Sequence, residues 1–389
     1  MIYNFDEIIN REGTGCIKYD ARKEVFGKSN VLPLWVADMD FKTPDFVIKA
    51  LKKRLEHEVL GYSFRTQSYN NSIVQWQNNR HQWKIQKEWL SFTPGVVSGL
   101  IFAVESFSSP GDEIILQPPV YTPFFNVILN TGRKVVENPL KKVDGRYTFD
   151  LEDFKKKITP STKMLLLCNP HNPGGTVWKR EELTALSNIC LENNIMMVSD
   201  EIHADIVYKG NKHIPLASLS KDIANHCVVF MAPSKTFNVA GLSTAYVVIP
   251  DVRLLGLYQK TLAREGLMYG NIMGTVALEA AYSNGEDWLE QLLEYLSGNI
   301  SFIDKFLKEN LPKVIMMKPE ATFLAWLDFS AFNLSDDEIK QKIINSGVGL
   351  NQGIEYGKQG SGYMRLNFGC PRSIIKEALT RIATVFKTV

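Results

Sequence analysis

Cys227-Val228-Val229-Phe230-Met231-Ala232-Pro233-Ser234-Lys235-Thr236-Phe237-Asn238-Val239-Ala240-Gly241-Leu242 is the stretch on which the fold turns. Its first five residues are a continuous apolar run, the pattern of a β-strand covered on both faces. Pro233 breaks the run, and Ser234-Lys235-Thr236 follow at its carboxyl end. In open α/β sheets, ligands bind just outside the carboxyl ends of the strands. Lys235 is therefore placed as a phosphate contact, as a covalent anchor for a carbonyl, or as an ordinary surface lysine after a strand.

Similar runs lie upstream: Ile114-Ile115-Leu116, Met164-Leu165-Leu166-Leu167 and Met196-Met197-Val198. Between them are helical patterns such as Arg180 to Asn193, in which Leu183, Leu186 and Leu191 are spaced for one face. Strand–helix alternation predicts an α/β fold with a mostly parallel sheet flanked by helices. The last third reads differently. A long helical stretch from about Asp287 to Asn310 leads to strand-like Val314 to Met317 and Phe323 to Leu327, a helix near Asp336 to Asn345, a strand at Tyr363 to Phe368 and a final helix from Ser373. That order predicts a smaller α+β domain. A chain of 389 residues is long for one core. The expected division is an N-terminal arm with part of the small domain (1–45), a large domain (46–286) and a small C-terminal domain (287–389). The arm is expected to be irregular, with Pro33 and Pro44.

Composition narrows the function. The 44 basic and 42 acidic side chains leave a net charge of +2, which argues against nucleic acid or an anionic membrane as the main partner. The five cysteines (Cys16, Cys168, Cys190, Cys227, Cys370) are scattered with no C-x-x-C pair, against both a disulfide framework and a metal site. Reduced thiols, an acidic start in place of a signal sequence and no apolar run of membrane-spanning length lead to the expectation of a soluble cytoplasmic protein.

The chemistry gathers at the ends of three successive β-runs. After Leu167 comes Asn169-Pro170-His171-Asn172-Pro173-Gly174-Gly175, whose prolines restrict the backbone and whose glycines open the turn, presenting Asn172. After Val198 comes Ser199-Asp200-Glu201-Ile202-His203, and the third end is Ser234-Lys235. Singly, an Asn-Pro pair is often only a turn and Asp200 a helix cap. Together they place an asparagine, an aspartate and a lysine toward one crevice.

In that order these residues resemble the fold-type I pyridoxal-phosphate (PLP) enzymes of the class I/II aminotransferase superfamily, over nearly the whole chain. Trp35-Val36-Ala37-Asp38-Met39-Asp40-Phe41, Gly61-Tyr62, Pro119-Val120-Tyr121, Ser199 to His203 and Ser234 to Leu242 resemble one branch, the MalY/PatB-type cystathionine β-lyases (C–S lyases). The resemblance implies that Lys235 carries PLP as a Schiff base and later removes the substrate Cα proton, which requires a lowered pKa. Asp200 would pair with the pyridine nitrogen, Asn172 would hydrogen-bond the phenolic oxygen, and Tyr121 would stack on the ring. The phosphate would lie on Thr93 to Gly99, held by the backbone of Val96 and Val97 at a helix N-terminus and by the Ser234 hydroxyl. Tyr62 would reach the phosphate of a neighbouring subunit, implying a homodimer with shared active sites. Arg365 would grip the substrate α-carboxylate, with Asn172 and Ala37 of the closing Trp35–Asp38 segment as further substrate contacts.

Two departures bear on the reaction. His203 stands where many aminotransferases have a tyrosine; it either bonds near the phenolic oxygen or is a satisfied buried histidine. Ser243 stands where a phosphate-binding arginine often follows Gly241-Leu242. Both departures are shared with the β-lyase branch and favour elimination. The implied function is α,β-elimination of cystathionine or related cysteine S-conjugates to pyruvate, ammonia and a thiol, with Tyr121 or a neighbouring copy's Tyr62 assisting proton transfer and no metal. The alternatives on the same scaffold are an aminotransferase and a PLP-fold regulatory binding protein.

Overall fold

The computed structural model describes residues 2–386. A seven-stranded sheet is built from β1 (Leu90–Thr93), β2 (Glu113–Leu116), β3 (Lys134–Glu137), β4 (Thr162–Cys168), β5 (Met196–Asp200), β6 (Cys227–Met231) and β7 (Ala245–Val248). Their order across the sheet is β1-β7-β6-β5-β4-β2-β3, and β7 alone runs against its neighbours. The apolar runs are continuous because successive side chains enter different cores. Ile115, Leu165, Leu167, Met197 and Val229 pack on one face, with Leu183 and Leu186 of the helix Arg180–Glu192. Ile114, Met164, Leu166, Val198 and Phe230 pack on the other, with Leu100 and Ala103 of the helix Val96–Phe107.

The chain's last third forms a four-stranded antiparallel sheet. Its strands are β8 (Ile315–Met317), β9 (Leu324–Asp328), β10 (Asn351–Gln352) and β11 (Tyr363–Asn367), in the order β8-β9-β11-β10. Helices Glu286–Asn310, Asp336–Asn345 and Arg372–Phe386 accompany it. The N-terminal segment is less irregular than its sequence suggests. It contains short helices Ile17–Asp20 and Arg22–Phe26, and Leu32–Pro33 pairs in parallel with Val348–Gly349. Phe5 packs edge-on to Phe41 and Trp288, whose hydrophobic demand outweighs the local absence of pattern.

One close approach sets the height of the helix that begins at Val96. A Cβ on Gly99 would lie 2.5 Å from the Phe230 ring and 2.9 Å from Thr93 Oγ1. Gly99→Ala is expected to destabilise the protein by about 1–3 kcal/mol, as overpacking does. Urea denaturation checks this; unchanged stability would mean the helix does not press on β6.

Candidate active site

The register of the large sheet brings the three expected loops to one level. Cys168 pairs with Asp200, and Asp200 pairs with Phe230. The next residues continue the ladder: Asn169 N–H donates to the Asp200 carbonyl at 2.9 Å, and Glu201 N–H to the Phe230 carbonyl at 2.8 Å. The loops carrying Asn172, Asp200 and Lys235 therefore leave side by side, around a cavity of about 240 Å³.

That cavity gathers most of the residues expected from sequence. Val96, Val97, Tyr121, Asn172, Asp200, His203, Ser234, Lys235 and Ala37 all line it. Arg365 is not part of that lining but is buried against it, with one guanidinium nitrogen donating to Asn172 Oδ1 at 3.2 Å and the other to the Trp35 carbonyl at 2.8 Å and Asn351 Oδ1 at 2.9 Å. Tyr62 is absent from the lining too. It is 97% exposed and borders a separate surface depression beside Tyr269. Within one chain it takes no part in the cavity.

Sequence reasoning missed several participants. Cys168, Ser98 and Thr244 line the cavity as well. Cys168 is the last residue of an apolar run and reads as core; Ser98 lies inside the expected phosphate loop without a role of its own, and Thr244 sits one residue beyond Ser243. Asn238 and Asn367 tie down the Trp35–Phe41 segment. Asn238 Nδ2 donates to the Met39 and Phe41 carbonyls, and Asn367 Nδ2 donates to the Val36 and Asp38 carbonyls. Lys18, wholly buried, adds an ion pair to Asp40 at 2.7 Å, and Arg11 bonds both Asp38 and Asp40. These contacts aim the Ala37 carbonyl at Lys235, whose Nζ donates to it at 2.6 Å.

The electrostatics of the cavity are those of groups kept from water. Burial, helped by the positive charge of Arg365, pushes the Lys235 amine down to about 8, while Asp38 and Asp200 oppose the shift. Burial raises the Asp200 carboxyl to about 7, against the Ile202 N–H bond and the charge of Lys235. Burial also drives His203 well below its ordinary value, with Lys235 and Arg365 adding to the effect. The His203 ring is neutral, and its Nδ1 has no hydrogen-bond partner.

This donor set fits PLP. The helix Val96–Phe107 starts at the cavity wall, so the unpaired N–H groups of its first turn face a dianion there. Ser98, Ser234, Ser243 and Thr244 bring hydroxyl-bearing side chains to the same wall. Asp200 is a buried carboxyl suited to a cationic ring nitrogen, and Lys235 is an amine suited to a carbonyl.

Fold and site together define a fold-type I PLP enzyme, and the chain belongs to the aminotransferase class I and II family, which it matches over residues 29–382. Pyridoxal 5'-phosphate is its cofactor. It is 46% identical to cystathionine beta-lyase PatB of Bacillus subtilis (strain 168) over 97% of this chain and 98% of that protein. It is 30% identical to protein MalY of Escherichia coli (strain K12), covering 100% of both. It superposes on cystalysin of Treponema denticola, whose crystal structure contains PLP, with a TM-score of 0.97 at 35% identity and full coverage of both chains. Within the family, the chain belongs to the MalY/PatB-type C–S lyase branch. Among the described residues, no helix is long and apolar enough to cross a membrane.

Proposed function

We propose that this protein is a PLP-dependent C–S β-lyase that converts cystathionine or a related cysteine S-conjugate to pyruvate, ammonia and a thiol. The observation that carries this reading is one cavity lined by both Lys235 and Asp200, with Arg365 held against Asn172 of its lining. The similarity to cystathionine beta-lyase PatB along almost the whole chain supports it.

When bound, PLP supplies an electron sink for the charge that develops on the substrate Cα. Val96, Val97 and Ser234 would hold its phosphate, Tyr121 its ring face, Asn172 its phenolic oxygen and Asp200 its ring nitrogen. Lys235 provides the covalent attachment. Arg365 binds the substrate carboxylate with its fork, and the Trp35 carbonyl and Asn351 orient that fork. The Ala37 carbonyl helps hold Lys235 Nζ in place. As a free amine, Lys235 Nζ would take the substrate Cα proton. The electron pair left behind forms the Cα–Cβ double bond, and the Cβ–S bond breaks with its electrons on sulfur. Tyr121, or Tyr62 from a second copy, returns a proton to the thiolate. Water then converts the aminoacrylate product to pyruvate and ammonia. His203 and Ser243 at the cavity, in place of a tyrosine and an arginine, favour this outcome over transamination.

The reading includes a homodimer. Tyr62 and its neighbours Val59, Leu60 and Phe64 are exposed apolar groups that a second copy would cover. The three-part division at about 45 and 286 and a cytoplasmic location complete it. The test is a substrate panel scored for keto acid with and without an added amino acceptor. Pyruvate and thiol are expected from cystathionine without a keto acid. Strict dependence on an added keto acid would overturn the assignment in favour of transamination.

A further inference from the structure

We infer that Glu201 and Asp205 are positioning residues that hold Asp200 and Lys235 in working register from behind the cavity. Neither lines the cavity, and both are buried. They sit on the short turn after β5, where Ala204 N–H donates to the Glu201 carbonyl and Ile206 N–H to the His203 carbonyl.

Each carboxylate grips a residue beside one that faces the cavity. Glu201 Oε1 accepts from Ser199 Oγ at 2.8 Å, so the residues on both sides of Asp200 are tied together. The same oxygen accepts from Leu216 N–H at 2.9 Å and from Asn169 Nδ2, at the start of the loop that ends in Asn172, at 3.3 Å. Glu201 Oε2 lies 2.7 Å from His213 Nε2. Asp205 Oδ2 accepts from Thr236 Oγ1, next to Lys235, at 2.8 Å. Asp205 Oδ1 accepts from Trp76 Nε1 at 3.0 Å and faces His81 Nε2 at 2.9 Å. The two histidine rings meet edge to face, with centroids 5.3 Å apart, joining the two clusters.

A buried carboxylate without partners is costly, and one fully bonded is rigid. Burial alone would raise the Asp205 carboxyl, yet the bonds from His81 and Thr236 hold it below the usual range. Burial keeps His81 below its ordinary value in spite of Asp205. The pair is thus a carboxylate accepting from a neutral imidazole. Ordinary sheet packing requires no such pair of buried carboxyl groups behind these loops, Glu201 bonded to Ser199 and Asn169 and Asp205 to Thr236. The Asp205 bond fixes the angle at which Lys235 leaves its strand, and the Glu201 bonds fix that of Asp200.

The inference rests on the reading of Lys235 and Asp200 as cofactor-holding groups. The test compares Thr236→Val, Thr236→Ser and Asp205→Asn with the unaltered PLP-loaded protein. Thr236→Val keeps side-chain shape and loses only the hydroxyl, so it guards against an Asp205→Asn variant that fails to fold. Misplaced reacting groups lower kcat by up to ~100-fold. A fall in kcat of about tenfold with KM nearly unchanged is expected for Thr236→Val, with Thr236→Ser restoring the rate. The visible circular dichroism of bound PLP, which reports its placement in the site, is expected to change in Thr236→Val and Asp205→Asn and to recover in Thr236→Ser. Unchanged kcat and unchanged circular dichroism in Thr236→Val, with only a lower melting temperature, would overturn the inference. The circular dichroism readout does not depend on which reaction is catalysed, so a failed lyase assignment shows instead as no pyruvate from the unaltered protein.

Discussion

Lys235→Ala is expected to lower the rate of pyruvate release by roughly 10⁴, the upper range for loss of a positioned general base. Two functions disappear with one amine: the covalent attachment of the cofactor and the acceptor for the Cα proton. No neighbour replaces it. Tyr121 is pushed above its ordinary value by burial, so its phenol is protonated and unsuited to act as a base. His203 is neutral, but a group driven well below its ordinary value is too weakly basic to hold a carbon-derived proton. Asp38 and Asp40 are committed to Arg11 and Lys18. Borohydride reduction followed by peptide mass analysis checks the attachment: added mass is expected on the Lys235 peptide of the unaltered protein and absent in the variant. Activity within tenfold of the unaltered rate would remove Lys235 from its role.

The same substitution has an opposite consequence for the empty protein. An amine pushed from 10.5 to about 8 is a charge held in the folded state against its preference at neutral pH. The folded value lies below the unfolded one, so the unfolded chain binds more protons between about pH 8 and 10.5. The penalty is complete below pH 8 and fades as pH rises through that window. Function here is maintained at the expense of stability, as strained active sites commonly are.

The sequence shows the middle of the fold best, and for a physical reason. Strands buried on both faces, such as Met164 to Leu167 and Val228 to Phe230, must be apolar at every position, so they stand out without any partner being known. The strand Ala245–Val248 carries the same signature but runs antiparallel, and direction leaves no mark in a two-sided apolar run. The paired dipeptides Leu32–Pro33 and Val348–Gly349 are too short for any period. Within the site, Asn172, Asp200 and Lys235 were legible because each follows one of those runs. The fork of Arg365 was legible only by resemblance, since its bonds to Asn172 and Trp35 join residues 193 and 330 positions away. Glu201 and Asp205 look like solvated acids after a strand. Only the folded packing shows them to be buried with partners: Trp76 and His81 of the helix Gln67–His81 reach Asp205, while Ser199, Leu216, Asn169 and His213 surround Glu201.

Asp200→Asn is expected to lower kcat by about 10²–10³, the scale for removing one preorganised electrostatic contact. Asp200 Oδ1 already accepts from Ile202 N–H at 3.0 Å, so its orientation is set before any ligand binds. An amide of the same shape keeps that bond but carries no charge to hold a proton on the cofactor's ring nitrogen. Stability should respond with opposite signs in the empty and loaded protein. Burial raises the empty-site carboxyl from 3.8 to about 7, so the folded chain binds more protons than the unfolded one across that interval. Stability of the empty protein from this group falls as pH rises through the interval, and the loss is complete above pH 7. Asp200→Asn should therefore stabilise the cofactor-free protein at pH 8, by on the order of 4 kcal/mol, with the difference vanishing near pH 3.8. In the loaded protein the carboxylate faces a cation, and the variant should be the less stable of the two and lose PLP more readily on dialysis. Urea titrations of empty and loaded protein at pH 5 and pH 8 check both signs. If the variant is destabilised equally with and without PLP, Asp200 is a structural carboxylate and its pairing with the cofactor ring is wrong.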